Sequence, residues 1–242
     1  MTTVLDSSGQ SPASMPLTAH LAELRNRLIW SIAAIFAGGV VGFYFGDELV
    51  AYLEAQLPAG ANLQQIQLGD GFSIQIQIAF VVGVVLAMPV LLWHFWRFVA
   101  PGLTRSERRA ILPWIPMALI FFAIGVAIAL VILPFASAFL LQFVPSGVQR
   151  NIDIRSYFDF ATSLFLIFGL MMEFPILLVG LSRVGIVTSA RLAGMRRLVI
   201  VGTLIFSTVI TPGGDLVSPT VLWLTILILF EFTIFFIRRS GR

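Results

Sequence analysis

A handful of acidic residues carry the chemistry that this sequence could do. Glu23 lies in the run His20-Leu21-Ala22-Glu23-Leu24-Arg25-Asn26-Arg27-Leu28, with Arg27 four positions on. On residue chemistry alone that is a surface ion pair worth about 0.3–0.5 kcal/mol. Glu107 follows Thr104 at the spacing of a capping box that would start the third long helix, and that role alone could account for it. Glu173, in Phe168-Gly169-Leu170-Met171-Met172-Glu173-Phe174-Pro175, falls near the middle of an apolar segment. An acid at that depth costs about 2.5–3.5 kcal/mol to insert, so it marks a cavity or a partner. Its plainer reading is a buried interhelix hydrogen bond. Pro175 beside it would free a backbone carbonyl and bend the helix into a concave surface. Asp215 sits in Thr211-Pro212-Gly213-Gly214-Asp215, a tight turn that proline and glycine explain without function. Glu231 lies near the end of the last apolar segment and is expected to snorkel toward Arg238 or Arg239.

Other chemistries lack residues. There are 2 histidines, His20 and His94, in no HExxH pattern, and 0 cysteines. Neither a zinc site nor a thiol nucleophile is expected. No phosphate-cradling glycine loop, dinucleotide fingerprint or nucleophile elbow is present. The reading is therefore of a protein that binds rather than catalyses, with no cofactor or metal.

The elements that hold these acids are apolar. Of 242 residues, 58% are hydrophobic and only 11% charged, and the mean hydropathy is +0.97. A globular domain of this size could not hide that much apolar surface from water, so lipid must be the solvent. The apolar segments run from Leu28 to Gly46, Ile74 to Phe98 (with Pro89), Ile111 to Leu133, Tyr157 to Leu181 (with Pro175), Leu198 to Ile210 and Thr220 to Ile237. The fifth would be about 20 Å long at about 1.5 Å per residue. It is either a short helix in a thinned bilayer or half of a re-entrant hairpin. Ahead of the first span, leucines 17, 21, 24 and 28 recur at helical spacing, which predicts an amphipathic helix on the inner surface. The outer loops cover roughly 47–73 and 134–156.

All 15 residues counted as Lys+Arg are arginine, and all but Arg150 and Arg155 flank the first span, fill the 97–110 and 182–197 loops, or lie at the C-terminus. The positive-inside rule puts those four regions in the cytoplasm. The pI of 10.2 therefore reflects topology and not nucleic-acid binding. Residues 1–19 read as neither a cleavable signal nor a transit peptide, and 1–15 as a disordered tail on a single membrane domain spanning 1–242.

Motifs in order now bring a family into view. His20 to Leu28 resembles the N-terminal signature of TatC, the multi-spanning receptor subunit of the twin-arginine protein translocase. Phe98-x-x-Pro101-x-Leu103-x-x-x-Glu107, Ser156-Tyr157-x-x-Phe160, Phe168-Gly169-x-x-x-Glu173-x-Pro175 and Thr211-Pro212 with Asp215 follow in the family's order. The resemblance covers essentially residues 16–238. It implies an all-α integral membrane fold with six transmembrane helices, the last two short, and both termini in the cytoplasm. It implies that Glu23 and Glu107 bind the twin-arginine signal peptide of folded cargo, with Arg25, Phe98 and Leu103 on the same surface. Glu173, Pro175, Asp215 and Glu231 would serve a membrane groove or partner surface for the peptide or for single-span TatA/TatB-type subunits. Export would be driven by the proton-motive force, in an oligomeric complex of the bacterial cytoplasmic membrane.

The sequence departs from that pattern in places. His94 stands where the family usually has Gln, the outer turn has an extra glycine, Pro219 replaces a usual Gln, and Met172 replaces an aromatic. Phe230 stands where Tyr is common. Two other readings are set against the receptor. One is a small proton- or ion-coupled transporter using Glu173. The other is a scaffold whose acids are structural.

Overall fold

Inside lipid a backbone can satisfy its N–H and C=O groups only within a helix or a closed barrel, so long apolar runs must become helices. A computed structural model describes residues 17–239 apart from 146, 147, 184 and 186. The tail expected over 1–15 lies outside the described residues, as does Arg242. The first helix, α1 (Leu17–Tyr44), has 28 residues without a break. The amphipathic segment expected ahead of the first span is thus continuous with the span itself. Its large side chains look outward: Phe36 is 74% and Trp30 66% exposed. A stripe of that size has no place in water, and lipid is its natural solvent.

The remaining helices follow in chain order. They are α2 (Gly46–Glu54), α3 (Asp70–Val99), α4 (Arg105–Ile111), α5 (Trp114–Leu141), α6 (Ile154–Met171), α7 (Phe174–Arg183), α8 (Ser189–Gly194), α9 (Arg196–Ile210) and α10 (Val217–Arg239). Among the described residues, five stretches are long and apolar enough to cross a membrane, the shortest being Val217–Arg239 with 23 residues. α9 has 15 residues, about 22 Å of helix against a hydrocarbon core of about 30 Å. α9 and α10, the last two apolar segments, are thus 15 and 23 residues long. The indole of Trp223 donates to the Ile200 carbonyl at 3.0 Å, tying α10 to α9.

Two outer regions expected to be loops have structure. α2 packs there, and the buried Tyr157 hydroxyl fastens it to α6 by donating to the Leu53 carbonyl at 2.7 Å. A three-residue strand, β1 (Asn62–Gln64), pairs in parallel with β2 (Asn151–Asp153), Asn62 opposite Asn151. Asp153 then caps α6, accepting from the Ser156 hydroxyl at 2.7 Å and from the Ser156 and Arg155 N–H groups. The Ser156 hydroxyl, followed by these backbone donors, holds the Asp153 carboxyl below its ordinary value of 3.8. A depressed value means the cap is whole at neutral pH and is lost only on acidification through that lowered value.

Helices approach closely where glycine allows it. A Cβ on Gly83 of α3 would lie 2.4 Å from the Ile35 carbonyl oxygen of α1, and one on Gly38 would lie 3.1 Å from the Gly83 Cα. Nearer the outer end, Gly42 sits against Ala79 and Val82. Small residues let membrane helices meet backbone to backbone, and these partners fix α1 and α3 as antiparallel. A second such contact joins α5 to α6, where a Gly125 Cβ would lie 2.4 Å from the Phe168 carbonyl oxygen. Around it Phe122, Phe158, Phe168, Leu133, Leu164 and Leu222 are fully buried. A smaller cluster of Val179, Leu192, Phe230, Ile234 and Ile237 joins α7, α8 and α10.

The α1–α3 contact generates a prediction. Gly83→Val should force α1 away from α3 and destabilise the protein by about 1–3 kcal/mol. A thermal-unfolding scan in detergent reads this as a lowered midpoint. Gly71→Ala, whose Cβ would meet nothing within 4 Å, should leave the midpoint unchanged.

Candidate functional site

The end of the α1–α3 pair that carries the α1 N-terminus gathers the first set of residues. Arg27 of α1 donates to the His94 carbonyl of α3 at 3.1 Å. One turn or two toward the N-terminus, His20 stacks on Phe98, with ring centroids 4.4 Å apart. Glu23 lies between these two contacts on α1, so it is level with the last turn of α3. From there the chain turns through a short 3-10 segment, Ala100–Gly102, into α4. Leu103 packs on Trp96, Ala100 and Ile111, which fixes the corner. The Thr104 side chain accepts from the Glu107 N–H, and Glu107 Oε2 accepts from the Thr104 N–H at 2.9 Å. The expected capping box is therefore present. It starts the seven-residue α4, and the chain breaks again at Leu112–Pro113 before α5.

Glu23 and Glu107 thus occupy one end of the bundle, on separate elements. Neither carboxylate is idle. Glu23 Oε1 accepts from Arg27 Nη2, with the Glu23 side chain 28% and that of Arg27 14% exposed. Arg27 Nε is buried and makes no hydrogen bond with the described residues. Arg25 is exposed, and Phe98 and Leu103 are half-buried. A carboxylate has about four lone-pair sites, so Glu23 can accept a second guanidinium on Oε2 or exchange Arg27 for it.

Glu173 sits where α6 ends and α7 begins, with its own N–H bonded to the Leu170 carbonyl at 3.1 Å. The sequence suggested a bend at Pro175, and the helix is interrupted just ahead of it, at Met172–Glu173, within one long apolar span. Pro175 is the second residue of α7, where its missing N–H is harmless. Glu173 Oε1 is buried and accepts no hydrogen bond from the described residues. One turn further along α7, Ile176, Leu177 and Gly180 line an apolar cavity of ≈ 330 Å³ shared with Leu92, Phe95 and Trp96 of α3. Glu173 itself does not line it.

The other two acids are far apart. Asp215 is 3% exposed, and its Oδ2 accepts from the Ser218 N–H at 2.6 Å at the start of α10. Glu231 lies about 24 Å further along that helix. Its partner is Arg196 of α9, at 2.7 Å, and not Arg238 or Arg239. The reason is geometric: α9 begins beside the end of α10, nearer than the residues one or two turns on.

Three of the departures from the family pattern find local explanations. His94 meets Arg27 through its backbone carbonyl, a contact indifferent to the side chain. Gly213 has φ +97 and a hypothetical Cβ 2.9 Å from Phe160, so glycine is required there. Pro219 is buried in the first turn of α10, where a proline lacks nothing.

One polar cluster went unread in the sequence. Gln77 of α3 donates to Asp159 Oδ1 at 2.9 Å and to Thr162 Oγ1 at 2.7 Å, both on α6. Above them, buried Asp70 lies 3.8 Å from Arg155. The available signal was a glutamine inside one apolar segment and an aspartate inside another.

The comparisons with known proteins bear on this geometry. The profile of the family described as Sec-independent protein translocase protein (TatC) matches residues 19–224. The chain belongs to the TatC family. A TatC relative from Azotobacter chroococcum is 37% identical, over 93% of this chain and 90% of its own length. That of Escherichia coli K12 is 35% identical over 93% and 89%. A crystal structure described as the twin-arginine translocase receptor TatC superposes with a TM-score of 0.79 at 32% identity, covering 92% of this chain and 100% of that one. As in that TatC structure, the fold here is a helical membrane bundle.

Gln77 offers a check on the packing. Gln77→Leu leaves Thr162 and Asp159 without their donor and should cost about 1–3 kcal/mol, read as a lowered unfolding midpoint. Gln65→Leu, at an exposed outer position, should cost nothing measurable.

Proposed function

We propose that this TatC-family protein is the receptor subunit of a twin-arginine translocase, binding the signal peptide of folded cargo at the cytoplasmic face. The observation that carries the reading is that Glu23 on α1 and Glu107 on α4 share one end of the bundle. Guanidinium groups pair with carboxylates bidentately and with charge assistance, which a lysine ammonium does not match. Arg25, Phe98 and Leu103 border the same end and complete the surface. The arginines that flank the helix ends support six spans with both termini in the cytoplasm, α9 being the short one, in the bacterial cytoplasmic membrane.

Glu173, with Pro175 at the start of α7, supports a second contact within the membrane, for the apolar part of the peptide or for single-span TatA/TatB-type subunits. Asp215 and Glu231 serve it only indirectly: the first caps α10 and the second ties α10 to α9. The protein acts by binding, as one member of an oligomeric complex, and the energy for transport comes from the proton-motive force. A small ion-coupled transporter is the second reading, favoured by the buried Oε1 of Glu173, which has no hydrogen-bond partner among the described residues. Solute flux in proteoliposomes that disappears in Glu173→Gln would support it.

Binding of a peptide bearing Arg-Arg to purified protein tests the receptor reading. Glu23→Gln and Glu107→Gln should each weaken capture about tenfold, the worth of a hydrogen bond to a charged group. A Lys-Lys peptide should bind weakly to wild type. Equal capture by the double variant and wild type would refute the assignment of these acids.

A further inference from the structure

Short helix α4 carries a face that the receptor reading does not use. Arg105, Arg108, Arg109 and Leu112 recur at helical spacing and together line a recess of ≈ 340 Å³. The opposite side of α4 is anchored by Ile111, buried against Trp96 and Ala100, while Glu107 is turned to its cap with Thr104. All three arginines are exposed, and none forms an ion pair with a described acidic residue. Three uncompensated guanidinium groups around one recess call for an anion.

We propose that this face of α4 binds the phosphate headgroup of an anionic phospholipid in the adjoining leaflet. The position selects a lipid over a free phosphate ion. Leu112 is 49% exposed within the recess, which suits a glycerol or acyl segment and offers a free ion nothing. Leu112 also immediately precedes α5, where the chain enters its apolar span. Met117, Leu119 and Ile120, on the first turns of α5, are exposed as well and give the acyl chains a surface to follow. Basic pockets at this depth take anionic headgroups.

The site has a consequence for the receptor, and here it rests on the reading proposed above. The α3–α4 corner holds Arg97, Arg105, Arg108 and Arg109 against Glu107 alone. A guest carrying two guanidinium groups meets a repulsive field there, over a distance of about 8 Å in physiological salt. A bound phosphodiester offsets that field without occupying Glu23 or Glu107.

The test is native mass spectrometry of the full-length protein taken from mixed phosphatidylglycerol and phosphatidylcholine vesicles, with no peptide present. Wild type should retain phosphatidylglycerol preferentially. Arg105→Gln, Arg108→Gln and Arg109→Gln combined should lose the preference, by up to about fivefold for each guanidinium removed. The corresponding triple Lys variant should keep most of it, since point charges suffice for a phosphate. Arg97→Gln, outside the recess, should keep most of it. Retention by the triple Gln variant equal to wild type would overturn the proposal. So would an equal loss in Arg97→Gln, or displacement of the lipid by millimolar inorganic phosphate. Peptide capture, measured separately, reports on Glu23 and Glu107 and can fail without affecting this result.

Discussion

Helix α1 meets the rest of the protein chiefly through α3, and the contact is made of glycine. Most of the surface of α1 faces lipid, so its position is not enforced by burial on several sides. It is set by the backbone approach at Gly38, Gly39 and Gly83 and by Gly42 on Ala79. Lipid offers no hydrophobic drive for helices to associate, so close van der Waals fit has to supply it. From that register follow Arg27 on the His94 carbonyl and His20 on Phe98. The height of Glu23 relative to the α3–α4 corner follows in turn. A binding surface split between two helices is only as well defined as the seam that joins them.

The acids on that surface are compensated before any guest arrives. A naked carboxylate beside half-buried groups would be costly, and one whose partner was removed costlier still. Glu23 is held by Arg27, and Glu107 by the first turn of its own helix. On the proposed reading, an arriving arginine would join Arg27 at Glu23 or take its place. In either case the charge on Glu23 stays compensated. Selectivity then depends on geometry more than on charge, because a planar fork fits a carboxylate where a point ammonium does not.

Much of this was legible in the sequence, because a membrane imposes simple rules. Apolar length located the five long apolar helical stretches found among the described residues, arginine placement supplied an expected orientation, and the spacing from Thr104 to Glu107 announced its capping box. What escaped has identifiable causes. The bend expected at Pro175 was legible, but its exact place, a turn at Met172–Glu173 with Pro175 opening α7, was not, since sequence alone does not distinguish a proline inside a helix from one that opens the next. Arg196 was missed as the partner of Glu231 because the pairing crosses from α9 to α10, and sequence neighbours were considered first. The α2 helix and the β1–β2 clasp lie in stretches whose composition reads as loop. Gln77 with Asp159 was hidden by treating each apolar segment as uniform.

The account stands on Glu23 and the α4 corner lying at the same surface, opposite the β1–β2 clasp. The protein has no cysteines, so single cysteines report cleanly. Arg25→Cys, Arg105→Cys and Asn62→Cys variants in right-side-out and inverted membrane vesicles can be treated with a membrane-impermeant maleimide. The account predicts that positions 25 and 105 label only in inverted vesicles and position 62 only in right-side-out ones. Labelling of 25 and 105 from opposite sides would contradict it.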